Sequence, residues 1–173
     1  MLRFDDQPKY VTIGGVKIEK NEIENTKTRF DKNGKKKYII NFKDGQTIEY
    51  SNQSLSNNSS IIFDKEGMII SHMANANVTG NPNAYNYITL KGCANSNVDV
   101  SSGTNSDWVE IIDGDEKFHS SGNTVKLDHL DRCDIKHDTK KKGWEFHKID
   151  YFYRKDGEGT VKETEANPNK KVK

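Results

Sequence analysis

Residues 87–138 read YITLKGCANSNVDVSSGTNSDWVEIIDGDEKFHSSGNTVKLDHLDRCDIKHD, and this stretch decides the fold. Short apolar pairs recur along it: Ile88/Leu90, Val98/Val100, Val109/Ile111, Val125/Leu127, then Ile135. Asn, Ser, Gly and Asp fill the intervals. Apolar pairs spaced by two, punctuated by turn formers at near-regular intervals, describe short strands of an all-β domain or a solenoid. Working outward, Ile69 to Val78 spans 9 residues, and Val78–Ile88 and Ile88–Val98 span 10 each. Val98 to Val109 spans 11, and Val109 to Val125 spans 16, which marks DGDEKFHSSG (113–122) as an inserted loop. At an offset of 37, Ile88-Thr89-Leu90 meets Val125-Lys126-Leu127 and Asn97-Val98 meets Asp134-Ile135, an internal match of a few positions.

The composition suits thin strands. Of 173 residues, 32% are hydrophobic and 31% charged, which favours strands with one buried face over a thick core. Eighteen are Asn, a residue that tolerates left-handed backbone angles and bonds to its own neighbouring backbone. The formal net charge is +1, so no global field attracts nucleic acid or an anionic membrane. Two cysteines, Cys93 and Cys133, make no disulfide framework and suit a reducing compartment or one isolated pair. The N-terminal MLRFDDQPKYVTIGGVK has no apolar core of a Sec signal, leaving non-Sec export or a cytoplasmic location as expectations. No apolar run approaches the ~20 residues of a membrane helix, and no membrane insertion is expected.

Before the central stretch, YVTIGGVKI (10–18) reads as two strands around Gly14-Gly15, and Glu19–Thr26 as a charged segment with a helical turn. Asn33-Gly34 and Asp44-Gly45 supply the positive φ of tight turns, so Thr28–Phe30, Lys37–Phe42 and Thr47–Tyr50 form a three-stranded meander. Ile61–Phe63 and Met68–Ile70 form another hairpin. Beyond the stretch, WEFHKIDYFY (144–153) is the most aromatic segment, with Thr160-Val161 as its returning strand. An aromatic hairpin there would cap the last open layer and blunt its edge.

The expected fold is therefore all-β. An antiparallel meander (1–60) precedes a short parallel β-solenoid or β-roll (61–138), an aromatic capping hairpin (139–162) and a solvated tail (163–173). The alternative is an antiparallel β-sandwich, but sandwich strands are longer and bulkier because two sheets must fill a layer ~10 Å thick.

NSNVDVSSGTNSDWVEIIDG and SGNTVKLDHLDRCDI resemble the degenerate, Asn/Ser/Asp-rich β-solenoid repeats of bacterial secreted proteins, the adhesins and haemolysin-type toxins. The resemblance covers about a third of the chain. It implies an exported or surface-associated bacterial binding or scaffold protein with a role in virulence. Calcium-binding members carry the nonapeptide G-G-x-G-x-D-x-apolar-x. Here Ser102–Val109 keeps a glycine, the Asp and the apolar position, and the missing glycines argue against ordered calcium stacking.

Chemistry-bearing residues concentrate in Asp128–Asp138. His129, Cys133 and His137 are four apart and share a face in a continuous strand, offering three zinc ligands. A strand spreads them over ~26 Å at ~3.3 Å per residue, and a turn near Asp131-Arg132 would separate them. Asp113 and Asp115 flank a flexible glycine, a pattern that suits calcium, although the EF-hand spacing is not completed. Neither cysteine opens a helix N-terminus, where thiolates are favoured, and small inward-pointing thiols account for both. Choosing Asp107 and Glu110 as a glycosidase pair would be arbitrary among 26 acids. The lysine runs 35–37 and 140–142 flank turns, where lysines protect strand edges. Trp144, Phe146, Tyr151 and Tyr153 leave one aromatic face open to a protein or carbohydrate surface.

The sequence thus points to a non-enzymatic β-rich binding or scaffold module with no required cofactor. One alternative is an effector hydrolase acting on a polymer, which would gather His129, Asp131, Cys133 and Asp134 in a concave pocket. The other is a small inhibitor or immunity protein that binds one partner through its aromatic segment.

Overall fold

The computed structural model describes residues 9–52, 58–103, 106–114, 120–128, 131–137, 148–153 and 159–163, with backbone alone at 137 and 148–153. Among them there is no α-helix, and two mixed sheets carry the chain. The first half is antiparallel apart from one parallel pairing, of Lys17 and Ile18 with Ser60 and Ile61. Strands β1 (Tyr10–Ile13) and β2 (Val16–Glu19) close around Gly14 and Gly15, at φ 59° and 85°. The expected helical turn is one 3-10 turn, Lys20–Glu22. Then β3 (Ile23–Phe30), β4 (Lys36–Phe42) and β5 (Thr47–Tyr50) form the anticipated meander, turning at Gly34 and Gly45. Strands β6 (Ser60–Phe63) and β7 (Met68–Ser71) form the next hairpin, and Asp64 Oδ1 accepts the N–H groups of Glu66 and Gly67 in its turn.

From β7 onward the chain alternates between the sheets. It passes through β8 (Asn77–Thr79), β9 (Tyr87–Lys91), β10 (Asn97–Asp99), β11 (Trp108–Ile112), β12 (Thr124–Leu127) and β13 (Arg132–His137). Strands β7, β9, β11 and β13 pair in parallel in the eight-stranded sheet, and β8, β10 and β12 in parallel in the seven-stranded one. Met68 therefore sits beside Ile88, Ile88 beside Val109, and Val109 beside Cys133, at steps of 20, 21 and 24 residues. The near-10 rhythm of the sequence is half of this period, one strand in each sheet. The offset of 37 is not structural: Ile88 and Val125 belong to different sheets, and Val125 lies beside Val98 and Val161.

The core lies between the sheets as one cluster. Met68, Ile70, Ile88, Leu90, Val109, Ile111, Cys133 and Ile135 fill it from one side, and Val78, Val98 and Val125 from the other. Completely burying a Val, Leu or Ile side chain contributes about 1.5–3 kcal/mol, so this ladder outweighs what hydrogen bonds at the polar corners add. Those corners need left-handed backbone. Asn75 and Asn95 hold φ of 59° and 52° in equivalent turns, within SHMANANVT (71–79) and KGCANSNVD (91–99). Asn reaches that region at low cost, which is one use of the chain's asparagine.

Two expectations for the C-terminal end are corrected. Strand β14 (Lys148–Tyr153) pairs antiparallel with β13, while β15 (Gly159–Lys162) pairs antiparallel with β12. The aromatic segment and its return are thus not a hairpin. Each closes a different sheet, because a two-sheet stack has two terminal edges to cover. Glu163, expected in the solvated tail, is buried, and its Oε1 accepts Asn123 Nδ2 at 2.5 Å.

Candidate functional site

The outward face of the eight-stranded sheet carries a row built by register. Tyr87, Trp108 and Arg132 are the first residues of β9, β11 and β13, and each lies directly beside the next. Parallel pairing puts equivalent side chains about 4.8 Å apart, the separation at which flat groups stack. The rings of Tyr87 and Trp108 stack at 4.7 Å with 12° between planes, and the Arg132 guanidinium lies 4.6 Å from the Trp108 ring centroid. Both faces of the indole are therefore covered. A cation over an aromatic ring adds roughly 0.5–1 kcal/mol where it is solvent-accessible.

Asp134 fixes this row from below. Trp108 Nε1 donates to its Oδ2 at 3.0 Å and Arg132 Nε to its Oδ1 at 2.9 Å, and the Asp134 side chain is fully buried. Glu110 ties the next row: Lys136 Nζ reaches its Oε2 at 2.6 Å and the Tyr87 hydroxyl its Oε1 at 3.4 Å. Burial, then the Glu110 charge, pushes the Tyr87 phenol up to about 12, so it stays a donor. Tyr85 stands exposed beside the row. In β14, the backbone of Tyr153 pairs with Arg132 and that of Tyr151 with Asp134.

Behind the row runs a polar ladder. Asn86, Asp107 and Asp131 immediately precede Tyr87, Trp108 and Arg132, and all three are buried. The Asn86 N–H donates to Asp107 Oδ1 at 2.8 Å, and the Asp107 N–H to Asp131 Oδ1 at 2.9 Å. The Asp128 N–H closes the last turn on Asp131 Oδ2 at 2.7 Å.

The other proposed ligands are dispersed. Cys133 faces the core, and burial pushes its thiol up to about 12, as it does that of Cys93. Neither supplies a thiolate near neutrality. Asp113 is buried, with its Oδ1 accepting the Ser120 N–H at 3.0 Å. His137 ends β13 as described backbone, and Asp115, His129, Trp144 and Phe146 lie outside the described residues. Among the described residues no three His, Cys, Asp or Glu side chains gather in a way that would hold a metal. Asp107 is committed to the ladder and Glu110 to the face, so they do not flank a common cleft. Lys36 reaches over the Tyr38 ring at 5.2 Å, and the 140–142 run lies outside the described residues.

Sequence reasoning missed the row, although a signal was present. NYITL, DWVEI and DRCDI (86–90, 107–111, 131–135) share the order Asn/Asp, large side chain, core residue, polar residue, aliphatic. Comparison of the chain with protein-family models, with curated proteins and with solved structures gave no match. No helix among the described residues is long and apolar enough to cross a membrane.

Proposed function

We propose that this chain is a non-enzymatic binding module, a short two-faced parallel β-solenoid that docks a protein partner on the outward face of its eight-stranded sheet. The observation that carries the reading is the Tyr87–Trp108–Arg132 stack held on Asp134. Tyr, Trp and Arg are the residues enriched at the energetic centres of protein interfaces. Holding them rigid before contact reduces the ordering cost of association. A sugar ring would need an open aromatic face, and both faces of Trp108 are taken, which favours a protein over a carbohydrate.

The solenoid part of the reading rests on the alternation of strands between two sheets and on the parallel register every 20 to 24 residues. It agrees with the repeat style of the secreted bacterial adhesins and haemolysin-type proteins. The hydrolase alternative wanted a concave cluster at 129–134; Cys133 turns inward and Asp134 is engaged by Trp108 and Arg132, which favours a flat binding ladder.

The test is crosslinking of a purified partner to the whole chain, with Trp108→Ala and Arg132→Ala compared at matched folding. A loss of capture of about tenfold or more, expected for a central anchor, supports the docking face. Unchanged capture by both variants refutes it.

A further inference from the structure

We propose that Asn86, Asp107 and Asp131 form a proton-dependent clamp that positions the Tyr87–Trp108–Arg132 row: the buried carboxyl pair holds one proton while the row is fixed, and releasing that proton to solvent loosens it. This rests on the docking face above and names what regulates it.

Sequence adjacency makes the coupling direct. Each ladder residue is covalently next to one row residue, so a shift of the ladder moves the Cα atoms from which the stacked side chains project. The ladder also supplies the hydrogen bonds that join one strand start to the next, Asn86 to Asp107 and Asp107 to Asp131.

The carboxyls are poorly compensated. The groups donating to them are neutral N–H groups: the Asn86 backbone and amide, the Asp107 backbone and the Asp128 backbone. Asp107 Oδ2 is buried without a hydrogen-bond partner among the described residues. It faces Gly103, where a methyl group would stand 3.3 Å from it and 3.6 Å from the Pro82 carbonyl oxygen. Two interacting carboxyls, joined through the Asp107 N–H and out of water, resist double ionisation, because each disfavours the charge of the other and burial disfavours both.

The charged and titratable groups facing the pair from its neighbours are few among the described residues. Tyr85 faces it from the β9 side and Asp128 from the β13 side; Asn81, Asn86 and Gly103 bring no charge. Arg132 Nε is turned to Asp134. Burial, opposed by the Asn86 bonds and reinforced by Asp131, raises the Asp107 carboxyl to about 6, and burial raises Asp131 as well. The clamp is closed at mildly acid pH and opens as pH rises through that region.

The test follows the Trp108 indole N–H and the Tyr87 and Arg132 amides by NMR on the whole chain across pH, without any ligand. In the unmodified protein the three are expected to move on one curve centred at about 6. Amide exchange in the row, corrected for its intrinsic pH dependence, should rise roughly tenfold above the midpoint. Asp107→Asn keeps the accepting oxygen and removes the charge, so it should hold the closed positions at every pH; Asp131→Asn serves as the second variant should the first not fold. A row that does not titrate overturns the clamp, as does one that titrates unchanged in either folded variant. Because no partner is used, that failure leaves the docking face untouched, and unchanged capture by Trp108→Ala leaves the clamp untouched.

Discussion

Trp108 Nε1 donates to Asp134 Oδ2 across two parallel strands at 3.0 Å, so a half-buried indole is held by a fully buried carboxylate. The same carboxylate receives Arg132 Nε on its other oxygen. One acidic side chain thus orients both the ring and the cation that stacks on it.

Asp134→Ala removes both bonds and leaves the indole N–H and the guanidinium without this acceptor. A destabilisation of about 2–4 kcal/mol is expected from losing a buried, charge-assisted pair, measured by urea unfolding. Asp134→Asn, which can keep one acceptor oxygen, should lose less. Equal stability of Asp134→Ala and the unmodified protein would refute this role.

Asp107 makes stability fall with rising pH. Its carboxyl is higher in the folded state, about 6 against 3.8, so the folded chain binds more protons than the unfolded one between these values. The contribution is complete below the lower value and is lost as pH rises through the upper one. Asp107→Asn should flatten this dependence and gain on the order of 2 kcal/mol at pH 7.5 relative to the unmodified chain. Parallel pH profiles of the two proteins in chemical denaturation would contradict it.

Gly122 occupies a corner at φ 74°, and a Cβ there would fall 2.3 Å from Asn95 Oδ1. Gly122→Ala therefore combines backbone strain with a clash against the neighbouring turn, and should cost about 2 kcal/mol or more. Asn95→Gly, at φ 52° in that neighbouring turn, removes the clashing side chain without requiring a strained conformation. The double variant should recover part of the loss, and simple additivity of the two would count against the clash.

Glu163 ends the seven-stranded sheet by accepting from Asn123, whose own Oδ1 takes the Ser96 N–H at 2.9 Å. Glu163→Ala should cost about 1–3 kcal/mol by removing one of the two acceptors of the buried Asn123 amide, which keeps the Cys93 carbonyl oxygen. Hydrogen exchange should rise first at Asn123 and Ser96. Protection that stays unchanged at both amides would argue that Glu163 is dispensable.

Local chemistry made much of this protein legible. The hairpins at Gly14-Gly15, Asp31–Gly34 and Asp64–Gly67 follow from turn residues, whose backbone preferences act within four positions. The inward Val, Ile and Leu of the central strands follow from the period of two, and both cysteines are buried as small apolar-like side chains. The offset of 37 failed because similar apolar triplets occur in both sheets, and a triplet carries no mark of which sheet it will join. The capping hairpin failed for a related reason: aromatic content marks a cover, but which edge it covers depends on where the chain last crossed.

The sequence by itself determined that this chain is all-β, where it turns and which side of each strand is apolar, because those properties depend on neighbours along the backbone. Only the tertiary structure decided that Tyr87, Trp108 and Arg132 form one row. Their spacings of 21 and 24 residues become adjacency only when the parallel register closes over intervening turns of unequal length.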